Sequence, residues 1–307
     1  MSYIKYHLLA LLVTVLVAGS FISSGKLSVV VNPFSLTLLR FVIAAFTLLP
    51  FVLIKKKYRK GIIRALPRSL IMSIFFSIFF ICMFEALKTT TPLNTGTLYT
   101  LVPFLTAIFS VFFFKEKITK KMLLVYLIGF AGTCWIIFGG DIEVLLAFSL
   151  NGGDALFVGG CISMVCYSIS MKFLYRGDKI IVIVFCTLVC GALWMLLALL
   201  IFNQPLQWHL LKSDLWFHMG YLALFATLAS TFIIQKTTVV LGPSRVMAYI
   251  YLNPICVAFL MLFIEGKSIP SIVFPGMIIS LIATIVLQFQ NRNNVNKSIF
   301  NTIETNK

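Results

Sequence analysis

Two ionisable side chains stand inside long apolar runs, where a charge is costly and marks a functional candidate. Arg40 lies seven residues into the run that starts at Pro33, and Glu85 lies three residues before the end of the run that closes at Lys88. At 1.5 Å per helical residue these are depths of about 10 Å and about 5 Å. Adjacent antiparallel helices could bring them together as an ion pair, with Lys88 as a third member. Such a pair has two readings. It recognises a substrate charge or carries a coupling proton on Glu85, or it fixes the packing of two helices.

A second set of side chains is polar without charge. Tyr249 and Asn253 are four apart and share one helix face. Pro254 follows and frees a backbone carbonyl. Tyr99 and Pro103 repeat that spacing, with Asn94 and Thr95 nearer the outer mouth. Tyr167 beside Ser168, and Thr231 beside Ser230 and ahead of Gln235, complete the set. Each of these has a bland explanation, a hydrogen bond to a neighbouring helix. Together Asn94, Tyr99, Tyr167, Thr231, Gln235, Tyr249 and Asn253 are expected to line one cavity, offering hydrogen bonds and aromatic surface to an uncharged or zwitterionic solute.

Enzyme chemistry finds no such support. His7, His209 and His218 have no ligand spacing, and neither His-Glu-x-x-His nor Gly-x-Ser-x-Gly occurs. Asp141 and Asp154 follow glycines in turn-like sequence at the surface, so they make no intramembrane acid pair. The seven cysteines all lie in apolar segments and read as small hydrophobes, without a disulfide framework. No catalytic residue, metal or cofactor is expected, and without a phosphate-binding loop ATP is not the driving force within this chain.

The elements that must position these groups are membrane helices. Of 307 residues, 60% are hydrophobic and 11% charged, against about 45–50% and about 25% in soluble domains. So few charges cannot cover a globular surface, so lipid must. Apolar runs place ten spans at 7–24, 33–54, 68–88, 92–114, 121–139, 153–175, 179–203, 215–239, 243–265 and 270–289. Pro33, Pro92 and Pro243 each open a span at the first helical turn, where the missing N–H costs nothing. The basic run from Lys55 to Lys60 cannot enter hydrocarbon and ends the second span. Lys5 ahead of an apolar run mimics a signal peptide, but with nine spans behind it and no clear cleavage site the segment reads as the first helix.

Charge placement gives direction. With the N-terminus inside, 20 Lys and Arg fall on the inner side and 4 on the outer, a strong positive-inside asymmetry. Both termini are then cytoplasmic, and the net charge of +16 faces anionic lipid, leaving no need for a nucleic acid partner. The loops are too short for an extramembrane domain, and the Asn-rich tail over 291–307 reads as disordered.

The two halves resemble each other. Pro92 and Pro103 are eleven apart, as are Pro243 and Pro254, and each segment runs on to a glutamate, Glu116 or Glu265. Five spans per half start the second half on the opposite side, so two similar halves, 1–139 and 153–290 about an outer loop at 140–152, lie inverted. Inverted halves are the arrangement of carriers. A channel would instead show rings of like charge or a carbonyl filter. A non-transporting scaffold is the remaining alternative.

Several motifs, in order along ten spans, carry a family resemblance. They are Asn32-Pro33-Phe34 with Leu39-Arg40-Phe41, then Glu85-Ala86-Leu87-Lys88, then Pro103 through Phe114-Lys115-Glu116-Lys117. Leu241-Gly242, Asn253-Pro254 and Ile264-Glu265-Gly266 follow in the second half. Over about residues 5–290 the chain resembles the EamA-type branch of the drug/metabolite transporter superfamily. Gly266 after rather than before Glu265, and Arg245 in place of a small residue, depart from the pattern. The resemblance implies an all-α bundle with a central cavity and transport of a small metabolite, amino acid or drug-like solute, often outward, across a bacterial cytoplasmic membrane. Because Arg40 belongs to a family-wide motif while substrates vary, the packing reading of Arg40 and Glu85 carries more weight. Substrate, direction, coupling ion and oligomeric state are not legible in these residues.

Overall fold

The computed structural model describes residues 2–115, 119–137, 151–266, 269 and 271–288, which are helical almost throughout, with no strand among them. In chain order the long helices are α1 (Ser2–Ser28), α2 (Pro33–Ile54), α3 (Lys56–Ala86), α4 (Pro92–Phe114), α5 (Lys120–Ile137) and α6 (Gly152–Phe173). They continue with α7 (Ile180–Ile201), α8 (Ser213–Leu241), α9 (Pro243–Ile264) and α10 (Ser271–Gln288). Nine of them, all but α5, meet the length and apolarity needed to cross a bilayer. The expected fold, ten transmembrane helices in two inverted five-helix repeats, is the fold found. Most of the expected loop at 140–152, the 291–307 tail and the Glu116-Lys117 motif lie outside the described residues.

Local chemistry explains where the helices start. Asn32 accepts a hydrogen bond from the Ser35 N–H at 2.9 Å and caps α2, with Pro33 next. Thr91 does the same for α4 through the Asn94 N–H, at 3.1 Å. Asn151 and Asp154 form a reciprocal capping box at the head of α6. Between α8 and α9 the chain turns on Gly242, whose φ of +89° suits glycine, and Pro243 then opens α9.

The third helix begins earlier than hydropathy indicates. Residues 56–67, expected as a cytoplasmic segment ahead of a span at 68–88, are the first turns of a 31-residue helix. Lysine and arginine are good helix formers in water, so a helix runs on beyond the hydrocarbon where apolarity stops. A single extended residue, Lys55 (φ −97°, ψ 114°), separates it from α2.

The helices pair in a pattern that reveals the duplication. α1 packs on α8 and α9, as α6 packs on α3 and α4. α3 lies on α7 as α8 lies on α2, while α2 meets α7, α4 meets α9 and α5 meets α10. Exchanging the first five helices for the second five returns the same set of pairs. Small residues permit the closest approaches. Gly276 of α10 meets Gly132 and Ile136 of α5. On α6 the packing glycines are Gly153, against Ala86 and Thr89, and Gly160, against Cys82 of α3. The small residues Ala155 and Gly159 of the same helix face outward, whereas Ser163 donates to the Phe75 carbonyl at 2.8 Å.

Candidate functional site

Two of the ten helices are broken, at corresponding places. α4 runs as Pro92–Leu98, breaks at Tyr99 and Thr100, and resumes as Leu101–Phe114. α9 runs as Pro243–Ala248, tightens to a 3-10 turn over Tyr249–Leu252, and resumes at Asn253. The cause is the second proline of each segment, which removes the N–H that would bond the carbonyl four residues back. Those carbonyls belong to Tyr99 and Ile250, and the tightened turns take them up. Val102 N–H donates to Tyr99 O at 3.1 Å, and Asn253 N–H donates to Ile250 O. The breaks meet across the bundle, where the Asn253 side-chain N–H donates to Gly96 O of α4 at 3.3 Å.

Beside this junction lies a small, partly open cavity. Ala10, Val13, Thr14 and Val17 of α1 form one wall, and Val246, Met247, Ile250 and Asn253 of α9 the facing one; Tyr99 and Ile234 complete it. Along α1 it therefore runs two turns. One turn beyond Val17, Phe21 packs edge-on against Tyr99 and Phe157, which with Phe79 close that side in an aromatic cluster. One turn before Ala10, the His7 ring nitrogen lies 2.7 Å from the Tyr249 hydroxyl, and the Thr14 hydroxyl donates to Tyr249 O at 3.4 Å.

The expected site residues fall into layers around this space. Tyr99 and Asn253 line it, and Tyr249 stands at its His7 end. Behind Ile234, the Gln235 amide N–H donates to the Tyr167 hydroxyl at 3.4 Å, and Tyr167 stacks on Phe76. Thr231 lies one turn before Gln235 on α8, buried. Three side-chain oxygens in these layers are buried without a hydrogen-bond partner: Asn253 Oδ1, Gln235 Oε1 and Thr231 Oγ1. Asn94 stays apart in the first turn of α4, half-buried, and does not line the cavity.

Arg40 and Glu85 do not meet. Arg40 is 0% exposed, and its Nε and Nη2 donate to the Thr227 hydroxyl and the Ala226 carbonyl of α8, while the guanidinium lies 4.0 Å over the Phe80 ring. α8 accommodates it with a π-helical stretch at Leu224–Ala229. Glu85 is 46% exposed on the last turn of α3 and binds Lys88 at 2.7 Å. Arg40 is turned toward the other repeat, which spacing along α2 and α3 could not reveal. Neither residue lines the cavity. The α1 wall was missed as well. Its signal is the i, i+3, i+4, i+7 pattern of Ala10, Val13, Thr14 and Val17, a face of small side chains on a helix otherwise rich in leucine.

The model of the EamA-like transporter family matches the chain twice, over residues 4–138 and 151–289. The chain belongs to that family. That family is one of membrane transporters. An uncharacterized transporter of Bacillus subtilis (strain 168), YyaM, is similar at 25% identity over 173 residues. That match spans 56% of each protein, little more than half the length of the curated relative. A solved crystal structure with 18% identity covers 94% of this chain and 98% of its own, at a TM-score of 0.66, and shares the fold.

Proposed function

We propose that this EamA-family member is an alternating-access carrier of the cytoplasmic membrane, working as an exporter, with its solute site in the cavity between α1, α4, α8 and α9. One observation carries the reading. The two proline-broken helices, in corresponding positions of the two repeats, meet beside a partly open cavity lined by Asn253, a residue with a buried, unpartnered oxygen. Interrupted helices at matching places in inverted repeats are where carriers build their sites. The repeats, 1–139 and 153–290, rock about this site. The aromatic cluster around Tyr99 closes the outer path, and the contact between His7 and Tyr249 closes the inner one. Both termini are cytoplasmic in this orientation, supported by the 20-to-4 bias of basic residues.

Purified protein in liposomes, offered a labelled panel of amino acids, nucleosides, organic acids and neutral amides, tests the proposal. Saturable, competable flux that falls at least tenfold in Asn253→Leu protein supports a carrier with its site here. Flux that never saturates turns the reading to a channel, and no flux for any solute turns it to a scaffold.

A further inference from the structure

We propose that the transported solute is an uncharged molecule with an apolar body and an N–H or O–H group placed to donate to Asn253 Oδ1. The proposal rests on reading the cavity as the transport site. Asn253 is 1% exposed, and its amide orientation is fixed by Gly96 O, which only the nitrogen end can approach. The oxygen end is therefore the one left buried without a partner, on a residue that lines the cavity. It accepts and cannot donate. A ligand that satisfies it brings a donor, and leaving it bare is what an empty site with no such donor would cost.

The rest of the wall sets the body of the solute. Around Asn253 stand valines, Ile234, Ile250 and Met247, with the ring of Tyr99. The Thr14 hydroxyl is engaged with the backbone at Ala10 O and Tyr249 O. Among the residues lining the cavity there is no Asp, Glu, Lys or Arg. The charges that could serve from nearby are held elsewhere: Arg40 against α8 and Phe80, and Glu85 at the surface on Lys88. Broken helices often offer bare carbonyls or helix ends to ions. Here the Tyr99 and Ile250 carbonyls freed by the prolines are already bonded. A zwitterion would bury an ammonium and a carboxylate with no counter-charge for either, a desolvation that one amide dipole does not offset.

Neutral apolar molecules cross lipid unaided, so binding reports this better than flux. Equilibrium dialysis of detergent-solubilised protein with labelled N-acetyl-leucinamide, leucine and leucinamide compares a neutral donor, a zwitterion and a cation with one side chain. N-acetyl-leucinamide is expected to bind at least tenfold tighter than leucine. Asn253→Leu should weaken it at least fivefold, and Asn253→Asp should make leucinamide the preferred ligand. Ala10→Phe, which fills the cavity from α1 without touching the amide, should abolish binding of all three. Leucine binding as tightly as the neutral amide, yet lost in Asn253→Leu, overturns the substrate class and keeps the site. Binding unaffected by Asn253→Leu and by Ala10→Phe overturns the site itself. Failure of all three to bind the wild type overturns the class proposed, and the flux panel then decides the site independently.

Discussion

Exchange of the two repeats relates the junction of α2 with α8 to that of α7 with α3, yet the two are built from different chemistry. At the first, a buried guanidinium lies on Phe80 and donates to Thr227 and to Ala226 O within a widened helical turn. At the second, α3 is regular, and contact is made by Gly191 against Ser77, with the Trp194 indole N–H donating to Leu70 O at 3.2 Å. The contrast shows that the wide turn and the arginine are one device. A π-turn shifts the backbone hydrogen bonds and leaves carbonyls able to accept from a side chain; Ala226 O accepts from both Arg40 and the Ser230 hydroxyl. Where no buried cation must be satisfied, the helix stays regular.

Removing the arginine breaks the comparison most severely. Arg40→Ala opens a space beside Phe80 and removes the donors that hold α2 to α8, for a loss of about 3 kcal/mol. The expected readout is a fall of several degrees in the temperature at which solubilised protein disappears from size-exclusion chromatography. Arg40→Lys should recover little, because an ammonium lacks the planar face and the fork. Arg40→Met should recover more, by refilling the space. Unchanged thermal survival in Arg40→Ala protein would show that the junction stands without its cation.

The small-residue junction breaks by crowding. A Cβ at Gly191 would stand 3.4 Å from Ser77 Oγ of α3 and 2.7 Å from the Phe41 ring of the adjoining α2, so Gly191→Ala should cost about 1–3 kcal/mol, seen in the same thermal assay. Paired with Phe41→Leu, which yields room, the loss should shrink.

A second symmetric contrast lies at the membrane surfaces. The turn between α1 and α2 is clamped through amides, with the Asn32 N–H donating to Gln207 Oε1 at 3.1 Å. The turn between α6 and α7 is clamped by an ion pair, Arg68 to Asp178 at 2.6 Å. Asn32→Ala loses a helix cap and the side-chain half of the clamp, the Nδ2 donation to Gln207 Oε1 at 3.3 Å, while the backbone N–H bond stays; the cost is about 1 kcal/mol or somewhat more, with no dependence on salt. Asp178→Asn should cost about 1 kcal/mol or less at low salt, because the pair is partly exposed, and its difference from wild type should fade by 1 M salt. Equal salt responses in the two variants would remove the distinction.

The smallest effect is expected at Glu85. Its pair with Lys88 is exposed and local, so Glu85→Gln should change stability by about 0.5 kcal/mol or less. Liposome flux should respond to an imposed proton gradient as the wild type does. A lost response would move proton coupling to the surface end of α3.

Much of this architecture is legible in residue order. The spans follow from the solvent, since lipid demands apolar runs of a set length, and Pro103 and Pro254 mark the breaks because the missing N–H acts locally. Less legible was whatever depends on helix rotation or on partners far along the chain. Gly159 and Gly160 differ by one position, but 100° of turn sends one outward and the other onto Cys82. Arg40 and Glu85 differed by only about 5 Å in depth, yet Arg40 faces α8, 187 residues away at Thr227. The first turns of α3 were missed for another reason. Hydropathy registers lipid, whereas helix formation there depends on the backbone and on lysine and arginine propensity in water.

The closed pairing of the helices has a consequence for energetics. In a bundle whose every contact has a counterpart with the repeats exchanged, a shape and its mirror-role partner are degenerate, and an ideal duplicate would divide its time equally between them. Each unmatched contact lifts that degeneracy. A difference of about 1.4 kcal/mol already makes one shape tenfold more populated, so the Arg40 contact, present on one side only, acts as a weight on the balance. Under the rocking of the repeats proposed above, it would bias which opening the resting protein shows, and how much of the solute's binding free energy is consumed in turning it over.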